Sequence, residues 1–365
     1  MRACSYCGRE NADEAQACFE CGTPFPILRT DEPSQAGDPA RTEEPREDTL
    51  EPPPSLAKSD MSQLDMRFET LEGFSRPDWK ALHAFVKQNV QKDDWGAAWT
   101  FIAQKWLEQL ATDLGGGARV HRSRNFLCLS DLGSERTLSL LAYAESVILV
   151  IRQALREAAW TGFHGKHVLL IFSDPDDYFA YVSYYYREGR HPQSGGVFIT
   201  RGYAHIAFPH SNPRSAEHTL VHELVHNLLC HLPIPAWLNE GLAVLIERRV
   251  ARYPFLLDKD LVERHYQHWN ASNIQSFWAG ESFHVPGEDH KLSYSLSEIL
   301  VNLLSEKGPD FITFIKNADW RDAGLDAALN ILDRDLGAVA SEFLGPGNWR
   351  PQRKAISEFF KKKPA

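Results

Sequence analysis

The chain has 365 residues, 43% of them hydrophobic and 24% charged, with ten Trp and twenty Phe. That composition suits a soluble globular protein with one large core or two smaller ones, and it excludes a chain disordered throughout. The net charge of −10 speaks against a general nucleic-acid-binding surface, which needs a basic excess.

The N-terminus, Met1-Arg2-Ala3-Cys4-Ser5, shows no apolar h-region, so no secretory signal is visible and a cytoplasmic location is expected. Residues 1–26 carry Cys4-x2-Cys7-Gly8 and Cys18-x2-Cys21-Gly22, two pairs separated by ten residues. In a chain without an export signal, paired CxxC reads as a metal site before it reads as disulfides. Each CxxCG places two thiolates on one metal, and four thiolates close the site to substrate, so one structural Zn2+ is expected here. About 25 residues cannot hold a core alone, so the metal must supply the folding energy. A redox pair is the competing reading, but it lacks the βαβ context that such chemistry needs. The unit resembles the short zinc-ribbon modules of many prokaryotic proteins. Its bases are Arg2 and Arg9 only, against Glu10, Asp13, Glu14 and Glu20, which favours a protein partner over nucleic acid.

Residues 27–75 are expected to form a disordered, acidic, Pro-rich linker. Positions 31–60 hold nine acids, three bases, six prolines and no aromatic residue. Such a segment buries too little apolar surface to offset its chain entropy. A helical segment is expected over 76–117. Pro77-Asp78-Trp79 starts the first helix, and Trp95, Trp99, Ile102, Trp106 and Leu110 line one side of a second that ends at Gly115.

The remainder, 118–347, is expected to be one α+β domain with a small mixed sheet and a mainly helical C-terminal half, followed by a tail over 348–365. Strands are predicted at Asn125–Leu129, Lys166–Phe172, Gly196–Thr200 and Tyr203–Phe208. Helices are predicted at 134–158, from Asp174 to Arg187, from Pro213 to Cys230 and from Ala236 to Arg252. Five more follow at 258–269, 292–306, 309–317, 322–333 and 335–344. The apolar run Leu138–Ile151 is interrupted by Glu145 and is shorter than the roughly 20 residues of a membrane helix, so no membrane association is expected.

The helix predicted at 213–230 carries His222-Glu223-Leu224-Val225-His226. Residues four apart on a helix lie about 40° and 6 Å from each other, so His222 and His226 aim two imidazoles at one point. Glu223, about 100° further round, flanks that point and is placed to take a proton from a zinc-bound water and return it to a leaving amine. HExxH by itself also occurs on helices without metal. A catalytic zinc needs a third ligand and one open position. Pro233 and Pro235 permit a reversal that brings Glu240, separated from His226 by thirteen residues, to face the histidines. Gly241 and Ala243 are small enough for two backbones to approach.

His222-Glu223-Leu224-Val225-His226 followed by Trp237-Leu238-Asn239-Glu240-Gly241-Leu242-Ala243 resembles the gluzincin zinc metallopeptidases, in particular the compact peptidase MA-like group. Arg124-Asn125-Phe126-Leu127, the strand pair before the motif helix, and Tyr294-Ser295-Leu296-Ser297 through Lys307-Gly308-Pro309-Asp310 extend the resemblance over about residues 118–345. It implies a zincin-like fold, with His222, His226 and Glu240 holding a catalytic Zn2+ and Glu223 as base. Larger gluzincins place an acid four residues after the glutamate ligand to orient a histidine. Val244 stands there in this chain, and Glu247 on the same helix face, or a backbone carbonyl, is left for that task. The resemblance also implies a Tyr or His donor to the oxyanion. Tyr294 is the first candidate by position and His290 the second, although a core-packed tyrosine explains Tyr294 equally.

Gly195, Gly196 and Val197 are expected at a free sheet edge where an extended peptide adds a strand; a plain hairpin with a flexible entry explains the same residues. His218 and His231 read as structural or solvent-facing, and Cys230 as a buried core residue. The expected function is zinc-dependent hydrolysis of peptide bonds in a peptide or protein substrate. The alternative is a zinc-ribbon adaptor whose peptidase-like domain binds peptides or partner proteins without cleavage.

Overall fold

The computed structural model describes residues 2–3, 10–11, 61, 64–115, 117–160, 162, 165–186, 195–210, 212–252 and 257–362. Cys4, Cys7, Cys18 and Cys21, expected to form a zinc ribbon, and the acid-rich stretch 31–60 lie outside them. The structure is mixed α and β, largely helical, with a small mixed sheet. Near the N-terminus the dipeptide strands β1 (Arg2–Ala3) and β2 (Glu10–Asn11) pair antiparallel. The chain divides into two compact units. One comprises Met1–Ser146 with Phe163–Leu220, the other Val147–Gly162 with Val221–Ala365.

In the first unit, a hairpin begins inside the segment expected to be linker. Strands β3 (Phe68–Leu71) and β4 (Phe74–Pro77) pair antiparallel across Glu72-Gly73. Both turn residues have positive φ, 53° and 85°, the two-residue geometry whose twist matches paired strands. Helix α1 (Trp79–Asn89) follows, its N-cap Asp78 accepting from the Ala81 amide, and then α2 (Trp95–Leu114), closed by Gly115 at φ 64°. Trp99, Ile102, Trp106, Leu107 and Leu110 of α2 are buried with Leu127, Leu129, Val168 and Leu170 of the sheet. The helical segment 76–117 therefore shares one core with the sheet and does not stand as a separate piece.

That sheet has five strands: β5 (Arg119–Arg122), β6 (Phe126–Ser130), β7 (His167–Phe172), β8 (Val197–Ile199) and β9 (His205–Pro209), in the order β5-β6-β7-β9-β8. The β6–β7 and β7–β9 pairs are parallel and the outer two are antiparallel. Every residue of β6 and β7 is buried, which is why they read as continuous apolar runs. β5 has no such signature in the sequence. Helix α3 (Ser134–Leu155) connects β6 to β7, and α4 (Pro175–Ser183) follows β7, ending before the expected Arg187. With the 3-10 turn after it, Ser134–Ala158 is long and apolar enough to span a membrane by length and composition alone. Its one mid-helix charge, Glu145, accepts from Ser123 Oγ and from the backbone and side-chain amides of Asn125, each at 2.6 Å.

A polar chain runs through the same unit. Arg76 Nη1 donates to Tyr185 Oη at 2.6 Å, Tyr181 Oη lies 3.3 Å from Tyr185 Oη, and His205 Nε2 lies 2.8 Å from Tyr181 Oη. His205 Nδ1 sits 2.7 Å from the Tyr203 carbonyl. A carbonyl accepts only, which assigns the proton to Nδ1 and makes Nε2 the acceptor from Tyr181. Burial, with smaller opposition from the Tyr203 carbonyl, lowers the His205 pKa to about 4, so the ring is neutral at physiological pH.

The second unit contains the C-terminal part of helix α5 (Pro213–Leu229) and helices α6 (Ala236–Ala251), α7 (Lys259–His268), α8 (Ile274–Trp278), α9 (Glu288–Ser305), α10 (Pro309–Asn317), α11 (Leu325–Leu332), α12 (Leu336–Leu344) and α13 (Arg353–Lys362). Helix α13 occupies what was expected to be a tail. Fully buried Trp237 and Trp278 pack edge to face at 5.5 Å. Their indole N–H groups donate to the carbonyls of Ala323 and Trp349, so these large side chains are buried without an orphaned donor. The turn between α5 and α6 is pinned by the Trp320 amide on the Pro233 carbonyl at 2.8 Å.

Candidate metal centre

Helix α5 presents His222 and His226 one turn apart, their rings 4.8 Å centre to centre. After the Pro233/Pro235 reversal, α6 brings Glu240 to them. One carboxylate oxygen, Glu240 Oε2, lies 3.3 Å from His222 Nε2 and 3.4 Å from His226 Nε2. For metal–ligand bonds of about 2.0–2.1 Å, the edge of a tetrahedron is about 3.3–3.4 Å. Both separations match that edge, and the three donor atoms lie within 4.8 Å of one another. The His2Glu donor set thus fits a tetrahedral cation that keeps one position open to substrate.

The surrounding groups fix these donors. Glu247, seven residues after Glu240 and so on nearly the same face of α6, places Oε2 3.2 Å from His222 Nδ1. That carboxylate accepts a hydrogen bond from Nδ1–H and so leaves the Nε2 lone pair for a metal. His226 Nδ1 is buried with no hydrogen-bond partner.

Electrostatics follow from the packing. Burial opposes charge on His222, but Glu240 and Glu247, with Glu223, outweigh it and raise its pKa to about 10. His226 is raised in the same way, mainly by Glu240. Burial raises the Glu240 carboxyl, and the two imidazoles overcome this and hold it well below the usual carboxylate range. The cluster is built to hold positive charge at one point.

Glu223 is 3% exposed and its charge is felt at His222, His226 and Tyr294. Tyr294, on α9, has its ring 6.3 Å from that of His222 and 4.8 Å from that of His290. Burial first, then Glu240 and Glu223, push its phenol far above the ordinary tyrosine value. It therefore remains a protonated donor at the edge of the cluster. His290 is lowered by burial and its Nε2 is buried without a partner. Both sequence candidates for the oxyanion donor are thus beside the His2Glu set, with Tyr294 nearer to the ligands' charge.

Helix α9 also braces α6. A Cβ at Gly241 would lie 2.6 Å from the Ser297 carbonyl oxygen and 2.6 Å from Val301 Cγ2. The small residue therefore serves α6 against α9; the sequence had suggested an approach of α6 to the motif helix. Two turns on, Arg248 holds Glu298 in a two-pronged ion pair, Nη2 to Oε2 at 2.8 Å and Nε to Oε1. This clamp is invisible in the sequence, because nothing local links residues fifty apart.

The other sequence candidates are found on the following elements. Gly195, Gly196 and Val197 belong to the first unit, with β8 at the sheet edge. Cβ atoms at Gly195 and Gly196 would meet Thr219 at 2.7 and 2.6 Å, so these glycines are required by packing within the protein. His218 is half-buried on α5 and His231 is exposed, its ring 5.7 Å from Trp160. Cys230 is exposed, contrary to the buried position expected for it, because α5 ends at Leu229 and the chain turns outward there; of the two described cysteines, Cys128 is the buried one.

A comparison with protein-family models finds no match, and a comparison with the curated proteins finds none either.

Proposed function

We propose that the chain is a zinc-dependent peptidase of zincin-like fold, with Zn2+ held by His222, His226 and Glu240. The observation that carries this reading is the pair of 3.3 and 3.4 Å separations converging on Glu240 Oε2, flanked by a buried glutamate that is not itself one of the three donors. A bound zinc supplies Lewis acidity there, polarising a peptide carbonyl and acidifying a water. Glu223 takes the proton from the attacking water and delivers it to the departing amine. Tyr294, kept protonated, donates to the oxygen on which negative charge develops. Glu247 holds the His222 ring in place through Nδ1. The four N-terminal cysteines are proposed, from their spacing alone, to hold a second, structural Zn2+.

Metal counting and a mixed peptide library test this together. The full chain is expected to bind two zinc ions, one lost on His222→Ala and the other on Cys4→Ser. Cleavage is expected to disappear with chelator, and on Glu223→Gln with that zinc retained. A Glu223→Gln variant as active as wild type would overturn the mechanism. Zinc held by His222 with no cleavage of any peptide would favour the adaptor reading.

A further inference from the structure

The first unit holds a cavity of about 330 Å³ lined by Glu69, Arg76, Trp79, Tyr184, Tyr185 and Arg201, among others. At its wall Arg76 is only 6% exposed. Its guanidinium stacks on Tyr184 at 3.9 Å, Tyr185 at 4.6 Å and Tyr181 at 5.0 Å. Nη1 donates to Tyr185 Oη and Nη2 to the Tyr181 carbonyl at 3.3 Å, while Nε is buried without an acceptor. No carboxylate of the described residues pairs with it within 4.0 Å.

A buried arginine without a counter-ion is unusual, since taking its charge from water is costly unless that charge is matched. Among the described residues, the elements packed around it do not supply the match. Tyr181 of helix α4, and Tyr184 and Tyr185 after it, offer the guanidinium only their rings, a hydroxyl and a carbonyl. β9 offers His205, which is neutral. Glu69 lies opposite Arg76 in the β3–β4 register, but it is exposed and forms no ion pair with it. Asp78 caps α1. A second donor points the same way: the Trp79 indole N–H, on the same cavity, has no acceptor among the described residues. The Trp79 indole packs close against Gly202, where a Cβ would lie 2.3 Å from Nε1.

We propose that this cavity binds a small organic carboxylate, its anion balancing Arg76 and its flat body lying against the rings of Trp79 and Tyr184. One buried cation with two of its five N–H groups already committed matches a monoanion better than a phosphate dianion. Arg201 at the exposed rim adds attraction that salt screens. The proposal is independent of the metal centre and of peptidase activity.

Fluorine NMR titration of the full chain tests it, with para-fluorobenzoate as probe and the isosteric para-fluorobenzamide as its neutral control. Saturable benzoate binding is expected, with the amide weaker by about tenfold or more because it lacks the charge. Arg76→Gln is expected to lower benzoate affinity by about tenfold or more with the fold retained. If Arg76→Gln does not fold, the exposed Arg201→Gln variant decides, with an expected loss of about threefold at low salt. Absence of saturable benzoate binding, equal binding of the amide, or wild-type affinity in the deciding variant overturns the proposal.

Discussion

Replacing Glu247 by Gln isolates one contact at the proposed metal centre. Gln keeps an acceptor for His222 Nδ1 but removes the negative charge that makes the imidazole a stronger donor. Loss of such a partner typically weakens metal binding about 10–100-fold. The geometry selects the lower end: the contact is 3.2 Å long and the Glu247 side chain is 26% exposed, so solvent screens its charge. A loss of about tenfold in zinc affinity is expected, equivalent to about 1.4 kcal/mol. Competition against a chromophoric zinc chelator at neutral pH measures it, with Cys4→Ser in both proteins so that only one site is titrated. Peptide hydrolysis at saturating zinc should then be restored. Affinity within twofold of the parent would refute the assignment of Glu247 as the group that orients His222.

Tyr294→Phe removes one oxyanion donor and is expected to lower kcat by about 100-fold or more with zinc retained; a loss below fivefold would assign Tyr294 to packing alone. Gly241→Ala forces a methyl against the Ser297 carbonyl. Overpacking of about 1–3 kcal/mol, at the upper end because the obstacle is backbone, exceeds the roughly 1 kcal/mol gained in helix preference, so urea denaturation should show a net loss near 2 kcal/mol. An unchanged or raised midpoint would contradict the close approach. His205 has its folded pKa near 4, below its unfolded value of about 6.5, so the unfolded state binds more protons between those values. Stability is expected to fall as pH drops from 6.5 to 4, by up to about 3 kcal/mol. His205→Gln should flatten that part of the pH profile, and an unaltered slope would exclude His205 as its source.

The sequence announced several helices because they carry their own punctuation. Asp78, Asp174, Asp258 and Asp335 all cap as side-chain acceptors. β6 and β7 were legible because full burial leaves an unbroken apolar run. The β3–β4 hairpin was hidden by its acidic neighbours, although Glu72-Gly73 is a usable turn signal. β5, with Arg119, His121 and Arg122 in four residues, has an edge-strand composition that does not distinguish it from a loop. In the His2Glu cluster, helical spacing pointed to His222 and His226, the Pro233/Pro235 reversal to Glu240, and the seven-residue step along α6 to Glu247. The Arg248–Glu298 clamp and the aromatic cage of Arg76 escaped, because both join residues remote in sequence through tertiary packing alone.

Helix α6 carries Glu240 and Glu247 toward the same imidazole and Gly241 and Arg248 toward α9. These two pairs, each separated by seven residues, make the centre depend on angular phase more than on an inventory of side chains. Deleting one residue between 241 and 246 would leave these four groups in the chain. It would turn the two halves of the helix about 100° out of step, so that either Glu240 or Glu247 would lose its histidine while Gly241 or Arg248 lost α9. Length within that short interval is therefore a constraint in its own right, beside the burial of Leu242, Ala243 and Leu245 that fill it.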